Sequence, residues 1–299
     1  MLLLFRCDYN VLAPYLPPKY EYVVKMQLSD LQISMYEFYL SMSAKSRKSL
    51  FKDCQVFRLL TAHPALLYQM YQRKQKKEAS HTRNARKYFA EHNFESDDCE
   101  STDACDNLFD SAESETTQNL EWIRKFVKEE DALNMYLSNK LKIFFAILEE
   151  CEFQNDKLVL FSQSLDVLDL IEKHLQRDAS KTWKLQQHYF RLDGSIGAKQ
   201  RQEDIKKFNN PQHESSLFLV STLAGSLGVN LIGANRCVIF DACWNPSHDM
   251  QALFRIYRLG QKKPVYVYRY LISELFAQID FLMLLQVGQL RNYGRQNLW

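Results

Sequence analysis

The 299 residues are 46% hydrophobic and 25% charged, the composition of a folded globular chain with room for about two domains rather than a collagenous or low-complexity one. No stretch reaches the roughly 18 consecutive apolar residues that span a bilayer, so no membrane partner is expected. Thirty-eight basic residues against 36 acidic ones leave a net charge of +2, so any nucleic-acid footprint must be local.

The opening run Met1 to Phe5 lacks the basic leader and apolar core of a secretion signal, and the protein is expected inside the cell. The seven cysteines are scattered and form no C-x-x-C pair. That disfavours a disulfide framework and a zinc site, and no metal ligand set is expected.

Three regions follow one another. Residues 20–70 read as aromatic helices with Ile33, Tyr36 and Leu40 at i, i+3, i+7, opened by the extended Leu16, Pro17 and Pro18 and stopped at His63 and Pro64. The linker and this helical protrusion make up 1–71. Over 72–118 apolar periodicity fades and charge polarises, with Arg73, Lys74, Lys76, Lys77, Arg83, Arg86 and Lys87 ahead of an acidic run through Glu115, the pattern of a disordered insertion. A solvated spacer is the simpler reading of it, against contact of its basic half with phosphates. From 119 to 271 short apolar strands alternate with helices. Strands are expected at 157–161, 189–192, 217–220, 237–240 and 265–268, with helices around 165–175, 198–208 and 246–258. Short buried strands alternating with helices define an α/β fold, a parallel sheet with helices on both faces. Residues 272–299 carry no assignment.

Open parallel sheets bind ligands beyond the carboxyl ends of their strands. There the sequence places Ser162, Gln163 and Ser164; Asp193, Gly194 and Ser195; Ser221 and Thr222, followed by Gly225 and Gly228; and Asp241, followed by Trp244 and Asn245. Hydroxyls and glycine-exposed N–H groups at such an edge suit phosphate oxygens. Any one such loop is explained as well by ordinary turn chemistry, and it is the four together that point to a phosphate-facing surface. The helix expected after Asn245, ended by Gly260, sets Gln251, Arg255 and Arg258 on one face at i, i+4, i+7 and turns Ala252, Leu253 and Ile256 toward the sheet. Two guanidiniums so placed suit the charge on a transferring phosphoryl group, although one arginine alone is ordinarily a solvated one.

The string from Gln251 through Arg255 and Arg258 to Gln261 resembles the last motif of superfamily-two motors of the Swi/Snf chromatin-remodelling class. The tract from Ser221 through Gly225 and Gly228 to Leu231 resembles the motif before it. Phe161 to Ser164 and Tyr189 to Ser195 resemble the two before that. Phe254, Tyr257, the stretch from Pro264 to Tyr270, and Leu16 to Lys19 resemble the ATRX-like subgroup. The resemblance runs from about Cys7 to Leu271. It implies the second RecA-like lobe of a DNA-dependent ATPase, preceded by the family's helical protrusion. Arg255 and Arg258 would be arginine fingers acting on ATP, with magnesium, held mainly by a first lobe. Gln251 and Gly228 would line the nucleotide cleft, and Gln163, Gly194, Ser221, Thr222 and Trp244 would face the DNA backbone. The implied partners are double-stranded DNA, chromatin with its nucleosomes or histones, and the first RecA-like lobe of the same protein; the implied compartment is the nucleus.

Leu223 stands where the family has a basic residue. The chain also carries neither the G-x-x-x-x-G-K-[ST] loop that holds phosphates nor the acidic box that holds magnesium, so the isolated chain is expected to be inactive. Three readings follow: the fingers-bearing half of a remodelling ATPase, a non-enzymatic truncated module binding DNA or protein, and an unrelated dinucleotide-binding enzyme. The last is disfavoured because residues 225–228 do not give G-x-G-x-x-G.

Overall fold

In the computed structural model the chain is described over residues 13–43, 50–91, 121–177, 181–222, 229–241 and 246–272. It divides into two units, Ser29–Leu137 and the residues on either side of that segment.

The flanking residues build a six-stranded sheet in the order β1-β6-β5-β2-β4-β3, parallel at every pairing. Its strands are β1 (Lys19–Met26), β2 (Leu158–Ser162), β3 (Tyr189–Leu192), β4 (Leu217–Ser221), β5 (Arg236–Ile239) and β6 (Val265–Ile272). All residues of β2, β4 and β5 are buried, as suits their largely apolar sequences when both faces are covered. The five strands expected in 157–268 are all present.

β1 is the strand that the sequence reading missed. Residues 20–26, expected within an aromatic helical region, instead form with Lys19 an edge strand paired with β6 in the register Lys19↔Val265 to Met26↔Ile272. Tyr20 and Tyr22 stack on Tyr266 and Tyr268 at centroid distances of 5.4 and 5.6 Å, and this cross-strand pairing selects extended backbone for a stretch whose composition is ambiguous.

Among the described residues the helices between strands are α4 (Asn139–Phe153), α5 (Leu165–Arg177), α6 (Ala198–Asn209) and α7 (Pro246–Leu253). Ser138 caps α4 by accepting from the Leu141 N–H, which leaves Leu141, Phe144, Leu148 and Cys151 on the buried face. In α5 Leu168, Ile171 and Leu175 are buried at helical spacing, whereas Leu165 is exposed. On one side of the sheet, Val159, Phe161, Phe190, Phe208, Phe218, Ala252, Leu253, Ile256 and Val267 pack as one core.

The Ser29–Leu137 unit holds α1 (Asp30–Ser43), α2 (Leu50–Ala62), α3 (Pro64–Glu91) and short 3-10 turns between Glu121 and Leu137. The buried stripe of α1 is Gln32, Met35, Tyr36 and Tyr39 rather than Ile33, Tyr36 and Leu40. Tyr36 and Tyr39 pack on Phe57 at 5.2 and 5.3 Å. Pro64 ends one helix and opens the next, as suits a residue whose missing N–H has no helical partner at that position. His63 bridges the junction, accepting the Ala65 N–H at Nδ1 and meeting the Asn134 carbonyl at Nε2, 3.1 Å away.

Two boundaries move. Helix α3 carries the basic stretch as far as Glu91, so 72–91 continues a helix where a disordered insertion was expected; residues 92–118 lie outside the described residues. The segment 121–137, taken with the lobe in the sequence reading, belongs to the helical unit. The tail 273–299 also lies outside the described residues.

Candidate functional site

The order β3-β4-β2-β5 reverses direction at β2, so the loops leaving β2, β4 and β5 converge at one carboxyl edge. Gln163 follows β2 directly and is half-buried, and Gly194 is exposed in the turn after β3. Ser221 ends β4, with Thr222 next, both buried. These four candidates therefore share the edge. Trp244 lies outside the described residues.

The hydroxyl-rich loops are more committed to themselves than their composition suggests. Asp193 accepts from the Ser195 N–H at 2.9 Å, the Ser195 hydroxyl at 2.5 Å and Arg191 Nε at 2.9 Å. Burial works to raise its pKa, but these donors outweigh it and hold the carboxyl below its ordinary value. Arg191 is itself held charged by Asp169 and Glu172 on α5, against the cost of its burial. The turn thus presents Gly194 at its tip, with no atom within 4 Å of where a Cβ would stand.

Ser162, read from sequence as one of the ligand-facing hydroxyls, is fully buried and donates to Asp241 Oδ2 at 2.5 Å. It also accepts the Ser164 N–H at 3.1 Å. Lys140, from the first turn of α4, donates to the Phe240 carbonyl at 3.0 Å and lies 3.7 Å from Asp241 Oδ1. Its Nζ also sits 5.3 Å from the Phe240 ring centroid. Burial pulls the Lys140 pKa down, against the pull of the neighbouring carboxylate. This buried network ties α4, β2 and the end of β5 together. It fixes the edge rather than offering groups to a ligand.

The arginine segment departs from its expected form. Regular helix stops at Leu253, so Arg255 and Arg258 do not continue the face that carries the exposed Gln251. Instead 254–260 forms tight turns, with Arg255 N–H on the Ala252 carbonyl, Ile256 N–H on Leu253 and Gln261 N–H on Arg258. Gly260 adopts φ +101°, a conformation that glycine alone takes without strain. Arg255 is half-buried and Arg258 exposed. Burial and the like charge of Arg258 both depress the Arg255 pKa, as expected of two guanidiniums held close.

The backbone of the arginine turn runs beside the entry to β5. Arg255 receives the Leu231 N–H on its carbonyl at 2.8 Å, and Leu231 lies in the segment leading into the amino end of β5. The candidates thus fall into two groups on the lobe, the loop residues at the strand ends and the arginine turn beside the entry to β5. Gly228 lies outside the described residues, which resume at Val229.

Among the described residues no group of three or more His, Cys, Asp or Glu could hold a metal ion, and no helix is long and apolar enough to cross a membrane. Cys151 and Cys237 are buried, and burial pushes both thiols up to about 12.

Residues 139–260 match the family described as Helicase conserved C-terminal domain. The chain is 35% identical over 346 aligned positions to a Drosophila melanogaster protein named Transcriptional regulator ATRX homolog, covering 88% of this chain and 25% of that protein. It thus spans about a quarter of that relative's length. Among solved structures, the C-terminal part of the Fun30 ATPase domain superposes with a TM-score of 0.57 at 22% identity over 90% of each chain. The Sulfolobus solfataricus SWI2/SNF2 ATPase core domain does so at 0.57 and 21%, covering 95% of this chain and 46% of that one. At these identities the structures speak to fold alone, and the fold they share is the RecA-like helicase lobe. The sheet unit is therefore a carboxyl-terminal helicase lobe of the Swi/Snf type. Within that class it belongs with the ATRX-like subgroup.

Proposed function

We propose that this chain is the second motor lobe of an ATP-dependent DNA translocase that acts on chromatin in the nucleus. Arg255 and Arg258 stabilise the charge that develops on the γ-phosphoryl group of ATP and magnesium held by a first RecA-like lobe. Gln251 and Gly228 line the same cleft. Gln163, Gly194, Ser221, Thr222 and Trp244 meet the DNA backbone, where contacts position the protein without reading sequence.

The observation that best supports this reading is the arginine turn. Two guanidiniums sit three residues apart, the inner one half-buried, with burial and mutual charge both opposing its protonated state. Such a pair suits a polyanion such as a triphosphate, whose charge offsets the repulsion between them. The chain fits ATP in this limited sense: it supplies cations to the phosphates while its sequence has no loop to cradle them.

A second reading rests on that same sequence feature: alone, the chain is a DNA- or protein-binding module without turnover. The two separate in an ATPase assay with duplex DNA. Under the proposal the isolated 299-residue chain hydrolyses no ATP above background, and the protein that also contains the first lobe does so with DNA stimulation. Robust turnover by the isolated chain, lost on Arg255→Ala, would contradict it.

A further inference from the structure

Gln261 closes the arginine turn, and no role has been given to it above. Only 8% of it is exposed. Its Nε2 lies 2.6 Å from the Ala234 carbonyl and 3.2 Å from that of Ile232, with the Ile256 carbonyl at 3.4 Å. Its Oε1 accepts the N–H groups of Lys262 at 2.9 Å and Lys263 at 3.0 Å. An amide offers two donors and an acceptor oxygen with two lone pairs, and here all are engaged. One side chain thus joins three stretches of backbone: 232–234 entering β5, Ile256 within the arginine turn, and 262–263 entering β6.

The surroundings reinforce the joint. The Leu231 N–H reaches the Arg255 carbonyl at 2.8 Å. Asn209, at the end of α6, accepts the Gly233 N–H at 2.8 Å and donates to the Asn230 carbonyl at 2.8 Å. Segment 230–234 is therefore held from α6 on one side and grips the arginine turn on the other. That grip matters because regular α7 ends at Leu253, which leaves Arg255 and Arg258 on successive turns rather than on a continuous helical ladder. The charges of the two arginines also oppose each other.

We infer that Gln261 is a positioning residue which, with the Leu231 to Arg255 backbone bond, locks the turn bearing Arg255 and Arg258 onto segment 230–234. The inference rests on the proposed action of those arginines on ATP. A second consequence is coupling: a displacement of segment 230–234 passes to the arginines through this joint.

The test combines two readouts. In the 299-residue chain, Gln261→Leu keeps the volume and removes the polar joint; amide exchange at Leu231, Lys262 and Lys263 rises about tenfold or more while β2 and β4 amides stay unchanged. In the full protein containing the first lobe, the same variant lowers DNA-stimulated kcat about tenfold or more with KM for ATP within about threefold. Gln261→Glu adds a signature that general destabilisation lacks. Its carboxylate repels the Ala234 and Ile232 carbonyls, its protonated form can donate to one of them, and its activity relative to the parent recovers as pH falls from about 7.5 to about 5.5.

Arg255→Ala run in parallel separates the two levels. If it leaves kcat intact, the underlying reading of the arginines fails. If it abolishes kcat while Gln261→Leu leaves both exchange and kcat at parental values, or Gln261→Glu shows no recovery in acid, the positioning role is overturned.

Discussion

Single residues in this lobe act mostly through what they hold still. Gly233 is an instance: a Cβ there would stand 2.7 Å from Asn209 Cα and 2.9 Å from the Phe208 carbonyl, both backbone atoms with little freedom to yield. Gly233→Ala is expected to destabilise by about 1 to 3 kcal/mol, as forced overpacking does, read as a lowered urea midpoint at constant slope. Gly194→Ala, facing open space, should stay within about 0.5 kcal/mol of the parent in the same experiment. The Lys140–Asp241 pair makes a stronger demand, because both residues are buried. Lys140→Met leaves a buried carboxylate without its cation and should cost about 3 kcal/mol or more, whereas adding Asp241→Asn should restore part of the loss. A double-mutant cycle with no coupling would show that the pair is idle. Neither relation was legible in the sequence. Lys140 looks like any helix lysine, and the carbonyl that it caps lies 100 residues away; Ser162 reads as a ligand-facing hydroxyl because its commitment to Asp241 is a tertiary fact.

At the scale of elements, legibility followed burial. β2, β4 and β5 were found because strands covered on both faces have no polar alternation to confuse them. β1 was missed because its exposed tyrosines and charged residues between them match an aromatic helix about as well as an edge strand, and only pairing with β6 decides. α7 was drawn too long for a related reason. The 3.6-residue spacing of Ala252, Leu253 and Ile256 persists through a tight turn, so periodicity cannot mark the point where the ladder stops. At the amino ends of β2 and β5, Asp156 accepts from Arg236 and Lys263, each at 2.8 Å. Burial raises the Asp156 pKa, but the hydrogen bonds from Lys263, Arg236 and Asn235 outweigh it and hold the carboxyl below the usual range. A carboxyl depressed on folding contributes stability above its unfolded pKa of about 3.9 and loses it as pH falls through the folded value. Thermal stability should therefore fall between about pH 5 and pH 2.5, and Asp156→Asn should be less stable at pH 7 yet flatter across that window. An unchanged slope would remove Asp156 from the acid response.

At the scale of the molecule, the helical unit stands in the chain between β1 and α4, so the first strand of the lobe is separated in sequence from the other five and joins them by pairing with β6. Fold class and family were legible because several ordered motifs fall on successive strand ends. The arrangement of the site was legible only in outline: the sequence drew the arginine segment as one helical face, whereas its backbone turns away beyond Leu253 and is tied to segment 230–234. If the strand-end loops meet phosphates as proposed, duplex binding by the chain should be insensitive to sequence and weaken steadily with salt, with a log–log slope of about −0.9 per phosphate neutralised. A salt-independent association would contradict backbone contact. The most direct measurement is the DNA-stimulated ATPase of the protein containing both lobes, with and without Arg255→Ala. The account predicts that kcat falls about a thousandfold while duplex affinity is preserved. Turnover at the parental rate in that variant would show that this lobe does not act on ATP through its arginine turn.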